Sequence, residues 1–197
     1  MKVKASIATS WARAYKAALA TEGKETDKTP TDTWKRQMLL AEHSPIRLVE
    51  YDVKVDGIKQ WITTHLVRHW LGFIPFVHSQ RDDRRKLDCS RDELPQGSLN
   101  DMAFSVNAQA LINISRKRLC VAAHKETREA WKQVRQAIGE VDPAMAEKMV
   151  PECVYRGFCP ERKCCGFIHT DRYRIELCHY RHVGELTYGG EESDDSE

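Results

Sequence analysis

No run of about 18 apolar residues occurs in the chain, which removes a membrane-spanning helix from the expected elements. Lys and Arg interrupt the opening stretch KVKASIATSWARAYKAALA, so a secretory signal is not expected there either, and a cytoplasmic location is. Net charge is nearly absent: 31 Lys and Arg stand against 29 Asp and Glu, for +2 at pH 7. That balance argues against bulk nucleic-acid binding, and any cationic site must be local. No CxxC pair is present, and seven cysteines is an odd count in a chain without secretory features, which favours reduced thiols or a metal site over a disulfide framework. There is no internal repeat. The tail GGEESDDSE at 189–197 has no apolar residue to bury and is expected to be disordered.

What remains is a chain of 197 residues, 41% hydrophobic and 30% charged, a composition suited to one soluble domain over 1–188. A first strand is expected at 2–9, and Ser10 is placed to cap a helix over 11–22. Residues 23–32 form a polar loop, and Thr31 or Asp32 caps a helix near 33–42. The β-branched run IRLVEYDVKV predicts a strand at 46–55, closed by a turn at Asp56-Gly57. Apolar residues and histidines at helical spacing predict a helix over 58–70, terminated by Gly72 and Pro75. The charge-rich segment 71–97 is expected to be a long functional connection, not a core element. A long helix is expected from Leu99 to Leu119, interrupted near Cys120 and resuming to Ile138. Asp142-Pro143 opens a short helix, residues 151–166 are expected to be irregular, and 172–182 form the last helix. Trp11, Trp34, Trp61 and Trp131 fall on these helices as core or subunit contacts, and Cys120 is expected in the core.

Two separated segments concentrate the polar chemistry: RHWLGFIPFVHSQRDDR at 68–84 and NAQALINISRKRL at 107–119. Arginine suits phosphate because its planar fork donates two parallel hydrogen bonds and keeps its charge. Arg68, Arg81 and Arg118 are therefore the first candidates for an anion site. Asp82, Asp83, Arg84 and Arg85 are expected to pair with one another on the surface, Arg81 escaping through its neighbour Ser79. On a continuous helix Asn107 and Arg118, eleven residues apart, would share a face, while Asn113 would lie about 240° away from Asn107 and face a different ligand portion, a second subunit or a kinked continuation, although a mid-helix Asn is more often a polar surface residue.

The run Arg68-His69-Trp70, then Ser79-Gln80-Arg81, then Asn107, Asn113 and Arg118 resembles the flavin-dependent thymidylate synthases, whose signature reads RHRxxSxNExSxR followed by a helical N-x5-N-x4-R. Ser44-Pro45 upstream, Ala123, Glu126 and Arg128 downstream, and CPE at 159–161 extend the resemblance over about 40–165. It implies an α+β fold with a central, mostly antiparallel sheet wrapped by helices, assembled as a homotetramer. It implies that Arg68, His69, Trp70, Asn107 and Asn113 hold FAD. Ser79, Gln80, Arg81 and Arg118, with His65, would hold a pyrimidine deoxynucleotide monophosphate, and Ser79 and Arg118 would sit nearest the chemistry. The family's reaction moves a methylene group from methylenetetrahydrofolate to C5 of dUMP, with NADPH as electron source. The sequence also departs from the signature. Trp70 replaces an Arg, Ser79 and Arg81 sit one residue late, the Asn-Glu pair gives way to Ile74-Pro75-Phe76-Val77, His65 replaces a Gln, and Leu48 replaces a His. Losing polar groups that pair with a base edge opens the pocket to cytosine or a modified uracil. The competing expectation is a non-catalytic nucleotide-binding or structural descendant that kept the phosphate-holding arginines.

Cys153, Cys159, Cys164 and Cys165, with His169, Cys178, His179 and His182 nearby, form a second candidate. Thiolates and imidazoles bind zinc tetrahedrally and can fold a segment that lacks its own core, whereas buried reduced cysteines need no metal. The irregular spacing leaves both readings open.

Overall fold

A computed structural model describes residues 1–84 and 89–182. Arg85, expected in the paired surface loop, and the acidic tail lie outside the described residues. The chain runs β1 (Lys2–Thr9), α1 (Trp11–Ala20), α2 (Asp32–Ala41), a 3-10 turn (Ser44–Leu48), β2 (Glu50–Lys59), α3 (Gln60–Leu66), β3 (Phe73–Val77), β4 (Leu99–Asn107), α4 (Ala108–Arg118), α5 (Lys125–Val141), α6 (Pro143–Lys148), α7 (Glu152–Arg156) and α8 (Asp171–Arg181). The four strands form one antiparallel sheet in the order β1-β2-β4-β3. Helices cover one face, giving the expected α+β architecture, and no helix among the described residues is long and apolar enough to cross a membrane.

The sheet is amphipathic because its strands alternate. Tyr51, Val53 and Val55 of β2 and Met102, Phe104 and Val106 of β4 point into the core, while Asp52 and Lys54 face outward. Trp131 of α5 lies against Phe104 with ring centroids 6.2 Å apart, and its indole N–H donates to Ser115 Oγ of α4 at 2.9 Å. Burying an indole requires such a partner. Asp142 serves three donors at once. Its Oδ2 accepts from Trp11 Nε1 and Tyr51 Oη, both at 2.6 Å, and its Oδ1 caps α6 through Met145 N. Lys148, wholly buried, donates to the carbonyls of Tyr180 and His182 at the end of α8, and burial lowers its amine to about 8.

Several expected elements differ. The 46–55 strand begins later, at Glu50, since Ser44–Leu48 is a 3-10 turn. Asp56-Gly57 does not end β2. The pairing register shifts between Val55 and Ile58, and Gly57, at φ 75°, takes the left-handed backbone that such a bulge favours. The helix expected over 58–70 shortens to Gln60–Leu66. Within the supposed connection 71–97, Phe73–Val77 is an edge strand, a place where Pro75 is tolerated. The largest difference is Leu99–Asn107, a strand and not helix, so the long helix from Leu99 does not exist. Residues 152–156 of the segment expected to be irregular form α7.

Candidate functional site

Arg118 ends α4 with its side chain half-buried. Its Nε donates to His69 Nε2 at 2.9 Å and its terminal nitrogen to the His65 carbonyl at 2.6 Å. The acceptor role requires the neutral imidazole, protonated on Nδ1. Burial, then repulsion from Arg118 and Arg68, lowers His69 to about 4. Burial and the same two arginines lower His65 as well. Burial and then Arg68 lower Arg118 itself. Among the described residues no carboxylate lies within ion-pair distance of Arg68 or Arg118. Two neighbouring guanidinium groups lacking a counter-charge fit an incoming anion such as a phosphate.

Around this cluster, Trp61 packs edge-on against His65 at 5.4 Å and against His124 at 4.8 Å. His124 also caps α5 by accepting from Glu126 N. Sequence reasoning did not assign His124 to the site. The one signal for its neighbourhood was Trp61, one helical turn before His65.

Asn107 is not on a helix face shared with Arg118. It ends β4 and caps α4, its Oδ1 accepting from Ala110 N at 2.9 Å. Gly72, at φ 70°, lies directly beneath its amide, and a Cβ there would stand 2.5 Å from Asn107 Nδ2. The Gly72 carbonyl accepts from Asn107 N at 2.9 Å, so the turn before β3 and the start of α4 are built together. Asn113 is exposed on α4. Trp70 is 76% exposed, and Arg68 is exposed as well.

Ser79 and Gln80 follow β3 directly, half-buried. Ser79 Oγ accepts from Arg81 N at 3.3 Å, a local turn bond. Arg81 does not escape the surface pairing: its Nε and a terminal nitrogen donate to the two Asp83 oxygens at 3.0 and 3.1 Å. Among the described residues no hydrogen bond or ion pair joins Ser79, Gln80 or Arg81 to the Arg118 cluster, whereas His65, Arg68, His69 and Arg118 are brought together.

The cysteines of the second candidate differ in exposure. Cys153 is buried, Cys159 half-buried, and Cys164 and Cys165 are exposed. Among the described residues no group of three or more His, Cys, Asp or Glu is placed to hold a metal ion. The segment is held by apolar packing, with Val150, Cys153, Val154, Tyr173 and Tyr180 forming a second small core. Cys120, expected in the main core, is half-buried.

This geometry gives a direct pH prediction. The unfolded imidazole of His69 takes a proton near 6.5, but the folded one not until about 4. Stability is therefore expected to fall as pH drops from 6.5 towards 4 and to lose nothing further from this group below that. Titration of the His69 ring protons by NMR should show a midpoint near 4, and a midpoint at the ordinary 6.5 would mean that the ring does not face the arginines.

The architecture is that of the flavin-dependent thymidylate synthases. A crystal structure of thymidylate synthase X from Helicobacter pylori with FAD and dUMP superposes with a TM-score of 0.60 at 16% identity, covering 76% of this chain and 99% of that one. A second crystal structure of the flavin-dependent enzyme from Helicobacter pylori, also complexed with FAD and dUMP, gives 0.57 at 16% identity, covering 74% of this chain and 98% of that one. No curated protein matches the sequence. The family described as thymidylate synthase complementing protein matches residues 82–144, which include β4, α4 and Arg118. Residues 82–144 are thus similar to that family, and the chain shares the fold of these two structures.

Proposed function

We propose that the chain is a flavin-dependent methylating enzyme for dUMP or a related pyrimidine deoxynucleotide monophosphate, with methylenetetrahydrofolate as carbon donor and NADPH as electron donor. The observation that carries this reading is the half-buried Arg118, held by His69 and the His65 carbonyl beside Arg68, with no carboxylate among the described residues to neutralise the pair. Bound FAD would supply the electron relay that reduces the transferred methylene to a methyl group.

The chain's own groups would do the rest. Arg118, aimed by His69, would grip the nucleotide phosphate and meet the pyrimidine edge, a preorganised cation needing no rearrangement. Ser79, Gln80 and Arg81 would close over the nucleotide from the end of β3, Arg81 leaving Asp83 for the phosphate, a cheap exchange because exposed ion pairs are worth little. Arg68, His69, Trp70 and Asn113 would hold FAD, together with the Asn107 amide nitrogen that capping leaves over. His65 in place of glutamine admits a base other than uracil. Ile74 and Phe76, 59% and 61% exposed, leave an apolar strip on the open face of the sheet beside Trp70, which supports assembly as a homotetramer. The location is cytoplasmic.

The decisive experiment combines colour with turnover. The purified protein is expected to bind FAD, absorb in the visible, and release tritium from C5-labelled dUMP or dCMP when methylenetetrahydrofolate and NADPH are supplied. A colourless protein that neither binds added FAD nor releases tritium would overturn the enzyme reading. It would leave a nucleotide-binding descendant, the reading favoured by the local bonds that now occupy Ser79 and Arg81.

A further inference from the structure

A cavity of about 510 Å³, separate from the Arg118 cluster, lies between the loop after α4, one face of α5, the start of α7, residues 159–168 and α8. That volume is in the range of small-molecule sites. Arg128, Lys132 and Arg135 enter it from α5 at positions i, i+4 and i+7, which share one helix face. Lys163 and Arg172 face them across the opening. Leu119, Val121, Phe167 and Ile168 supply apolar wall.

Lys132 is paired with Glu129 at 2.8 Å, an exposed i,i+3 pair that is worth little and exchanges readily for another anion, and the acids in the wall leave the other cations largely uncancelled. Glu152 is committed to Arg116, Lys117 and Arg156. Glu176 is engaged by Arg172 at 3.0 Å, which leaves Glu161. Arg128 spends one nitrogen on the Val121 and Ala123 carbonyls, which are neutral. Arg135 donates through Nε to the Ala146 carbonyl; among the described residues no carboxylate lies within ion-pair distance of it, and the more distant attraction of Glu176, itself engaged by Arg172, does not offset its burial. A half-buried guanidinium without an ion pair is costly until an anion joins it.

We propose that this cavity binds a small organic anion with an aromatic or apolar body, its acid group on Lys132, Arg135 and Lys163 and its body against Leu119, Phe167 and Ile168. The site is independent of the nucleotide site, since none of its lining residues belongs to the Arg118 cluster.

The test uses the full chain and the fluorescent aromatic sulfonate 8-anilinonaphthalene-1-sulfonate. Saturable binding at one site is expected, undisturbed by excess dUMP and FAD and unchanged in Arg118→Ala. Lys132→Glu combined with Lys163→Glu, both at exposed positions, should weaken it by about tenfold or more, the usual effect of losing charge-assisted contacts. Cys164 and Cys165 are exposed thiols in the same wall, so the bound probe should slow their alkylation by iodoacetamide, read by mass spectrometry, in the unsubstituted protein. Non-saturable binding, equal affinity in the double variant, displacement by dUMP or FAD, or unprotected thiols would each overturn the proposal.

Discussion

Arg118→Ala is expected to weaken dUMP binding by about a hundredfold while the flavin stays bound. The magnitude follows from the chemistry of the group. A guanidinium that meets a phosphate through two parallel charge-assisted hydrogen bonds contributes about 3 kcal/mol, which corresponds to a factor of about 150 in affinity. Here it is aimed before the ligand arrives, with Nε spent on His69 and one terminal nitrogen on the His65 carbonyl, so little conformational entropy remains to be lost on binding. Arg118→Lys keeps the charge but cannot hold His69, the His65 carbonyl and a phosphate in one plane, and it should recover only part of the loss. Isothermal titration with dUMP, with flavin retention followed by absorbance, checks both variants. Equal dUMP affinity in Arg118→Ala would remove this residue from the nucleotide site.

The second large effect concerns stability. Glu152 is 1% exposed, and its carboxylate takes Arg116 at 2.7 Å, Lys117 at 3.0 Å and Arg156 at 2.5 Å. Burial alone would raise this carboxyl, but the bonds from Arg116, Lys117 and Arg156 outweigh it and hold the group down at about 2. Glu152→Gln leaves three cations around a neutral amide, and breaking a buried ion network in this way costs about 3 kcal/mol or more at neutral pH. In a chain of this size that is a melting temperature lower by about 10 °C. The sign of the pH dependence is set by the lowered value. The carboxylate's contribution is complete above its ordinary 4.5 and is lost as pH falls towards about 2, so the deficit of the variant should shrink over that interval. Thermal unfolding of the two proteins at pH 7 and pH 3 measures it, and a constant difference would count against the network. Because Arg116 and Lys117 immediately precede Arg118, loosening this knot also frees the end of α4 that carries the site.

Helix ends were among the more legible features of the sequence, because capping is local chemistry, although Ser10 stands at the head of α1 without a side-chain cap bond. Thr31 caps α2 through Trp34 N, and Asp142 before Pro143 caps α6. The four tryptophans assigned to helices lie in or against the main core. Strands were harder, since their evidence is non-local. In Leu99–Asn107 the inward positions are Asn100, Met102, Phe104 and Val106, and a polar residue at the head of the set hid the period-two pattern. Asn100 is tolerated there because it bonds to Gln60 and to the His78 carbonyl, partners 40 and 22 residues away. Phe73–Val77 was obscured by Gly72 and Pro75, which read as punctuation unless the strand is known to lie at an edge. Misplacing β4 made Asn107 a helix-face residue when it is a cap, and the argument from helical spacing to Arg118 failed with it. The pairing of Arg118 with His69 across 49 residues was accessible only through the family resemblance, which named both without stating their contact.

The bonds from Asn107 N to the Gly72 carbonyl and from His78 N to the Asp101 carbonyl put the even-numbered residues of β3 in hydrogen-bonded pairs with β4. Residues 73, 75 and 77 therefore turn their backbone groups outward, and at the middle one, Pro75, the donor does not exist. A foreign strand laid along this border would find its ladder broken at the centre. The sheet is thus closed to growth by backbone zippering on the side where Ile74 and Phe76 make it sticky. Association there must proceed by side chains meeting face to face, which favours assemblies of finite size over open-ended fibres.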